Sequence, residues 1–280
     1  MHVGNIGNFQ TTEVSLVADS SGGVIVAWDD LIPRDTIEAT ILYKSRLTLQ
    51  RIDQFGNKLW GDAGVRVGID SVDQRVIATV SDNADGVIVL YSTHTNWGMF
   101  PDSSSLRIQR ISANGERLWG DNGISVTGEY AFANPSIIPS TDGSAIMYYG
   151  REAAGPMFQK INSQGEMIWS IISVHGYSDM ISDNTGGVIL GSSWHLSQDH
   201  IQIVGNRISS EGEFIWGEDG IVVVDSVGNA STVEGLQIGV DSSTIFYYSD
   251  AISTWQYYSA FLQVLTSDGS VLFEEPVSPS

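Results

Sequence analysis

The chain has 280 residues, 42% apolar and 16% charged, enough apolar material to build a core and too much for wholesale disorder. Its 13 lysines and arginines stand against 33 acids, a formal charge of −20 that repels nucleic acid and anionic lipid and makes both poor partners. Cysteine is absent, which excludes disulfides and thiolate metal sites and leaves the compartment open.

The first ten residues, MHVGNIGNFQ, lack the basic start and apolar core of a signal peptide, so the protein is either cytosolic or has lost a leader. The longest apolar runs, such as Val24 to Trp28, are far too short to span a membrane. From there two segments alternate along the chain. The first is VADSSGGVIVAW (17–28), then VSDNADGVIVLY (80–91), IPSTDGSAIMYY (138–149), ISDNTGGVILGS (181–192) and IGVDSSTIFYYS (238–249). The second is LQRIDQFGNKLWG (49–61), then IQRISANGERLWG (108–120), FQKINSQGEMIWS (158–170), GNRISSEGEFIWG (205–217) and LQVLTSDGSVLFE (262–274).

Each segment reads as a hairpin: runs of Val, Ile, Tyr and Trp flank clusters of Asp, Asn, Ser and Gly, the residues that supply positive φ and Asx bonding to tight turns. Two hairpins per unit predict four strands, A to D, with C carrying Leu-Gln-Arg-Ile and D carrying Lys58-Leu59-Trp60. Four-stranded antiparallel units that cannot bury both faces alone are the blades of a β-propeller. The expected fold is therefore an all-β, five-bladed propeller in a single domain, with blades near 1–61, 62–120, 121–170, 171–217 and 218–280. Trp60, Trp119, Trp169, Trp216 and Phe273 hold one position in D and should wedge between neighbouring blades. His2-Val3-Gly4 aligns loosely with Arg66-Val67-Gly68, so the chain starts where a preceding unit would end and reads as an excerpt of a longer protein.

Gly22, Gly23, Ile25 and Trp28, followed by Gln50, Arg51, Ile52, Asp53, Gly56, Trp60 and Gly64, make the pattern D-x-x-G-G-x-I-x-x-W … Q-R-I-D-x-x-G-x-x-x-W. Units of this kind resemble bacterial secreted and cell-surface β-propeller repeats, and the resemblance covers almost the whole chain. Copy four departs from it with Gly205-Asn206-Arg207, and copy five with Gln263-Val264. The G-x-x-x-W turn also looks like the tryptophan-docking repeats of quinoprotein propellers, whose cofactor residues have no counterpart here. The closer resemblance implies an extracellular or cell-surface scaffold, mostly without an assigned reaction.

In a propeller whose innermost strand is A, the B–C and D–A loops share one face, and here they are the long, irregular ones. They carry Trp97, Trp194, Trp255 and Tyr257 beside His94 and His195, an aromatic and polar set suited to a glycan or a protein partner. These six are the candidate ligand-binding residues of a non-catalytic binding or structural module. The alternative is a glycoside hydrolase using rim carboxylates drawn from Asp29, Asp30, Glu38, Glu129, Glu152, Asp179, Glu234 and Asp250. No cofactor is expected. The histidines lack metal-ligand spacing, and calcium is suggested only by Asp82-Asn83-Ala84-Asp85-Gly86 and by the Gly-Asp-x-Gly and Gly-Glu-Asp-Gly turns.

Overall fold

Asp19 shows how these repeats fold locally. Its Oδ1 accepts the N–H groups of Ser21 (3.0 Å) and Gly23 (2.6 Å), and its own N–H bonds Gly23 O at 3.1 Å, closing the turn between the first two strands. Gly23 is required because a Cβ there would strike the carbonyl oxygen of Ile52. The same closure recurs from Asp82 to Gly86, Ser140 to Ser144, Asp183 to Gly187 and Gly239 to Ser243.

The structure is a computed structural model that describes residues 11–37, 40–68, 72–94, 104–127, 132–151, 155–172, 179–197, 200–226, 232–253 and 257–278. Among these residues every regular element is a strand, and no helix is long and apolar enough to cross a membrane. The strands form five sheets in chain order, and the chain divides into two compact units, 1–152 with 160–167, and 153–159 with 168–280.

The first unit holds two complete sheets. One contains β1 (Thr11–Ala18), β2 (Val24–Ile37), β3 (Thr40–Ile52) and β4 (Val65–Arg66), paired antiparallel in that order. The next contains β5 (Asp73–Ser81), β6 (Val87–His94), β7 (Ser104–Ile111) and β8 (Ile124–Ser125) in the same order. Ile25, Ala27, Leu47 and Leu49 of the first sheet share a core with Val76, Val87, Val89, Tyr91 and Ile111 of the second. The first strands of the two sheets also touch: Ser15 Oγ lies 2.9 Å from Thr79 Oγ1 and accepts the Thr79 N–H at 3.0 Å.

A third sheet is built of β9 (Phe132–Pro139), β10 (Ala145–Arg151), β11 (Met157–Ile161) and β12 (Met167–Ile172), and the division between the units runs through it. The second unit holds the remaining two. The fourth sheet orders β13 (Asp179–Ser182), β14 (Val188–Ser197), β15 (His200–Ile208) and β16 (Ile221–Ser226), and the fifth orders β17 (Thr232–Ile238), β18 (Thr244–Ser253) and β19 (Tyr257–Leu265). Their shared core contains Ile189, Ile203, Trp216, Val223, Val233, Phe246 and Leu265, with Tyr248 stacked on Phe261 at 5.6 Å between ring centroids. Leu236 N donates to Asp179 Oδ2 at 2.9 Å, so here too the first strands of successive sheets are joined.

The expected fourth strand is misplaced by several residues. Lys58 makes one bridge to Ile52, then the chain turns away and returns as β4 after Gly64. The buried Gln50 makes this possible: its Oε1 accepts Trp60 N at 2.9 Å and its Nε2 donates to Gly61 O at 2.6 Å. Gln109 repeats both bonds with Trp119 and Gly120, and Asn206 keeps the second with Gly217. Sheets one, two and four therefore extend past Gly61, Gly120 and Gly217. Only in the third does the Trp169 segment run straight into a strand, because Ser170-Ile171-Ile172 replaces the glycine-acid turn. Among the described residues the fifth sheet has three regular strands rather than four; Val271 and Val277 add isolated bridges to Leu265 and Leu262, and between them the Gln263 side chain accepts Phe273 N at 3.3 Å and donates to Phe273 O at 3.0 Å.

The tryptophans do wedge where expected. Trp60 Nε1 donates to Ala113 O at 2.9 Å, in the turn of the following repeat, and a Cβ on Gly115 would come 3.1 Å from its ring. Trp119 docks likewise on Ser163 O and Gly165, and Trp169 on Ser210 O and Gly212. Trp216 packs on Gly269, but its Nε1 is buried without a partner among the described residues.

Candidate functional site

The segments read as irregular loops are mostly paired backbone. β2 and β3 stay paired, through one register shift each, out to Ile37 opposite Thr40, as do β14 and β15 to Ser197 opposite His200, and β18 and β19 to Ser253 opposite Tyr257. The correction has a simple cause: the peptide groups of these stretches bond one another across a two-stranded ribbon, which an isolated loop could not provide. In the first, fourth and fifth sheets the loop end is thus presented by extended hairpins.

Of the six candidate residues, Trp97 and Trp255 lie outside the described residues. Tyr257 begins β19, with its side chain likewise outside them. His94 ends β6 in the first unit, half-buried, with Nε2 3.2 Å from Ser92 Oγ. Trp194 and His195 are exposed on β14 in the second unit, and strand alternation sends them to opposite faces of the hairpin. Trp194 stands opposite Gln202, His195 opposite the buried Ile201.

Around His94 the first unit buries a polar group. Asp73, opposite His94 in the register, accepts Ser45 N at 2.7 Å across the two sheets. Asp29 and Asp30 are buried on β2, with Arg46 Nη2 3.9 Å from Asp30 Oδ2. A recess of about 440 Å³ opens between the first strands of three sheets, lined by Val14, Val76, Ile77 and Pro135. These four side chains are apolar, so among the described residues the recess is lined by no acid or base.

Of the acids proposed for hydrolysis, Asp29 and Asp30 are buried, Asp179 is half-buried and Glu234 is exposed. Asp179 is held by Leu236 N and by Met180 N, both at 2.9 Å, and Glu234 accepts Ser249 Oγ at 2.6 Å. Glu38, Glu129 and Glu152 lie outside the described residues, as does the side chain of Asp250. Asp82, which begins the calcium-like segment, spends Oδ1 on Ala84 N and Gly86 N and Oδ2 on Arg110 Nε at 2.9 Å. Among the described residues no group of three His, Asp or Glu could hold a metal ion.

One constellation escaped the sequence reading. His200 Nε2 donates to Asp225 Oδ1, and the Gln202 side chain bonds the same carboxylate. These two bonds, His200 first, hold the Asp225 carboxyl below the usual aspartate range and keep it a charged acceptor. Gln202 pairs with Asp225 on one side and Trp194 on the other, which sets all three on one face of the fourth sheet. Asp225 sits in a run of valines with no motif around it, and only the strand register brings it to the tryptophan.

No family model matches the sequence, and no curated protein matches it. Solved structures do. Polysaccharide lyase Uly1 is similar over 92% of this chain at 8% identity and a TM-score of 0.53, and this chain spans 58% of the lyase's length. A Dyadobacter fermentans protein of unknown function is similar over 91% of this chain and 76% of its own at 9% identity and a TM-score of 0.49. An α-L-arabinofuranosidase of Clostridium thermocellum is similar over 95% and 93% of the two chains, at 10% identity and a TM-score of 0.40. The likeness to the lyase shows a fold in common and, at this identity, nothing of activity.

Proposed function

We propose that the five sheets are the blades of a β-propeller forming one domain, and that the protein is a non-catalytic extracellular or cell-surface module that binds carbohydrate. The observation that carries the binding proposal is the exposed Trp194 on a hairpin ribbon at the loop end of its sheet, beside fixed polar side chains. An indole offers a sugar ring a broad apolar platform at small cost in side-chain entropy. Trp97, Trp255, Tyr257, His94 and His195 belong to the same recognition end in this reading. The propeller itself is supported by two observations, the tryptophan docking repeated from sheet to sheet and the contacts between first strands within each unit. The likeness to a polysaccharide lyase supports a carbohydrate ligand.

A second reading, glycoside hydrolysis by rim carboxylates, draws on the burial of Asp29 and Asp30 at this end of the first sheet. Two measurements separate the readings. On a glycan array the purified chain is expected to bind, and chromogenic glycosides are expected to be left intact. Turnover that disappears in Asp29→Asn or Asp30→Asn would replace binding by hydrolysis. A glycan bound by the wild type but lost on changing Ser20 and Asp85, in the turns at the opposite end of the sheets, would move recognition to that end.

A further inference from the structure

On β15 the residues alternate between two environments. Ile203 packs into the core shared with the fifth sheet, Ser193 opposite it accepts Val233 N at 3.4 Å, and a Cβ on Gly205 would meet Phe246 at 2.6 Å. His200 and Gln202 therefore face the other way, with Trp194 and Asp225 beside them. Trp194 is 38% exposed, and the Asp225 and His200 side chains are 59% and 37% exposed. Three strands thus present a row of indole, amide and carboxylate, and the histidine braces the carboxylate from the side.

We infer that this face of the fourth sheet is a subsite for a neutral pyranose, with Trp194 as the stacking platform and Gln202 and Asp225 as the hydroxyl-recognising groups. The inference rests on the carbohydrate reading above and adds the residues and the ligand charge. The indole face meets the C–H face of the ring. The Gln202 amide both donates and accepts, as a hydroxyl does. Asp225 has acceptor capacity beyond its bonds to His200 and Gln202, and its remaining lone pairs take hydroxyl protons in charge-assisted bonds. A ligand chain along the row would cross two strand spacings, about 10 Å. Asp225 and the −20 charge of the chain disfavour uronic acids and sulfated sugars there. His195 has no part in the subsite, because it pairs with Ile201 on the face turned to the fifth sheet.

The test titrates the full chain with cellohexaose, xylohexaose, mannohexaose and a galacturonic acid hexamer, reading tryptophan fluorescence and calorimetry. At least one neutral hexamer is expected to bind, and the acidic one to bind more weakly. Trp194→Ala and Asp225→Ala should each raise Kd tenfold or more while the thermal midpoint stays put, and Glu213→Ala, in the exposed turn beyond the other end of β15, should leave Kd unchanged. Neutral binding kept within twofold in both variants would overturn the subsite and leave carbohydrate binding standing. Tighter binding of the acidic hexamer than of any neutral one would overturn the ligand class. Failure of every glycan, here and on the array, would remove both proposals.

Discussion

The carbonyl oxygen of Ala113 accepts from two side chains of the preceding repeat, Trp60 Nε1 at 2.9 Å and Arg51 Nη1 at 3.3 Å. Ser163 O receives Trp119 and Arg110 in the same way. Arg51 also bonds Asp19 within its own sheet at 2.8 Å, Arg110 bonds Asp82, and Arg207 bonds Asp183 at 3.0 Å. The arginine and its aspartate change together: the third repeat has Lys160 with Ser140, and the fifth has Val264 with Gly239. A buried aspartate without its cation would be costly, and the fifth repeat keeps neither. Truncating Trp119 should cost about 3–5 kcal/mol, because it empties a site against Gly165 that backbone cannot refill. Trp194→Ala, at an exposed position, should stay within about 0.5 kcal/mol. Urea melts of the two variants check both values. Burial is the largest single influence on Asp183 and raises its pKa, but Thr185, the Gly187 N–H and Arg207 together outweigh it and hold the carboxyl below the ordinary 3.8. A depressed folded-state pKa gives stability that is present in full above the unfolded value and lost as pH falls through the folded one. Unfolding midpoints of the wild type should therefore drop between pH 5 and pH 2, and those of Asp183→Asn should drop less steeply.

At the scale of the element, the glycine-acid turns decide where each sheet ends. Gly61 and Gly64 both have positive φ, +72° and +69°. A Cβ on Gly61 would meet nothing within 4 Å, whereas one on Gly64 would strike Leu49 O, the carbonyl against which β4 begins. Gly61→Ala should cost about 1–2 kcal/mol, the price of a left-handed non-glycine residue. Gly64→Ala should cost clearly more, since the clash with β3 is added to the same strain. Chemical denaturation of the two variants side by side measures the difference, and equal losses would mean that β4 contributes little to its sheet.

For the whole molecule the dominant feature is charge. Acids outnumber bases 33 to 13, and self-repulsion of that order destabilises a compact chain at low ionic strength. The Asp19, Asp82 and Asp183 carboxylates are almost fully covered, so added salt screens their ion pairs less than it screens the surface. Raising sodium chloride from 10 to 300 mM should therefore raise the thermal midpoint. A fall would mean that attractive pairs, rather than net repulsion, set the electrostatic balance.

The repeat itself was legible in the sequence, because Gly115 and Trp60 are demanded by contact between neighbouring repeats: the glycine recurs in all five copies and the tryptophan in four, while Gly23 recurs in three and gives way to Ser144 and Ser243 in the others. The all-β class follows from those residues alone. The position of the fourth strand did not follow: Lys58-Leu59-Trp60 has the composition of a strand, and only the Gln50 side chain, bonding Trp60 N and Gly61 O from β3, pulls it out of the ladder. The long segments between second and third strands were found in the right places but read as loops, since cross-strand pairing at Ile37 and Thr40 leaves no local mark in composition. Trp194 was identifiable as a candidate from its residue type. Its partners Gln202 and Asp225 were decided by tertiary structure, because register between three strands, not spacing along one, determines which side chains share a face.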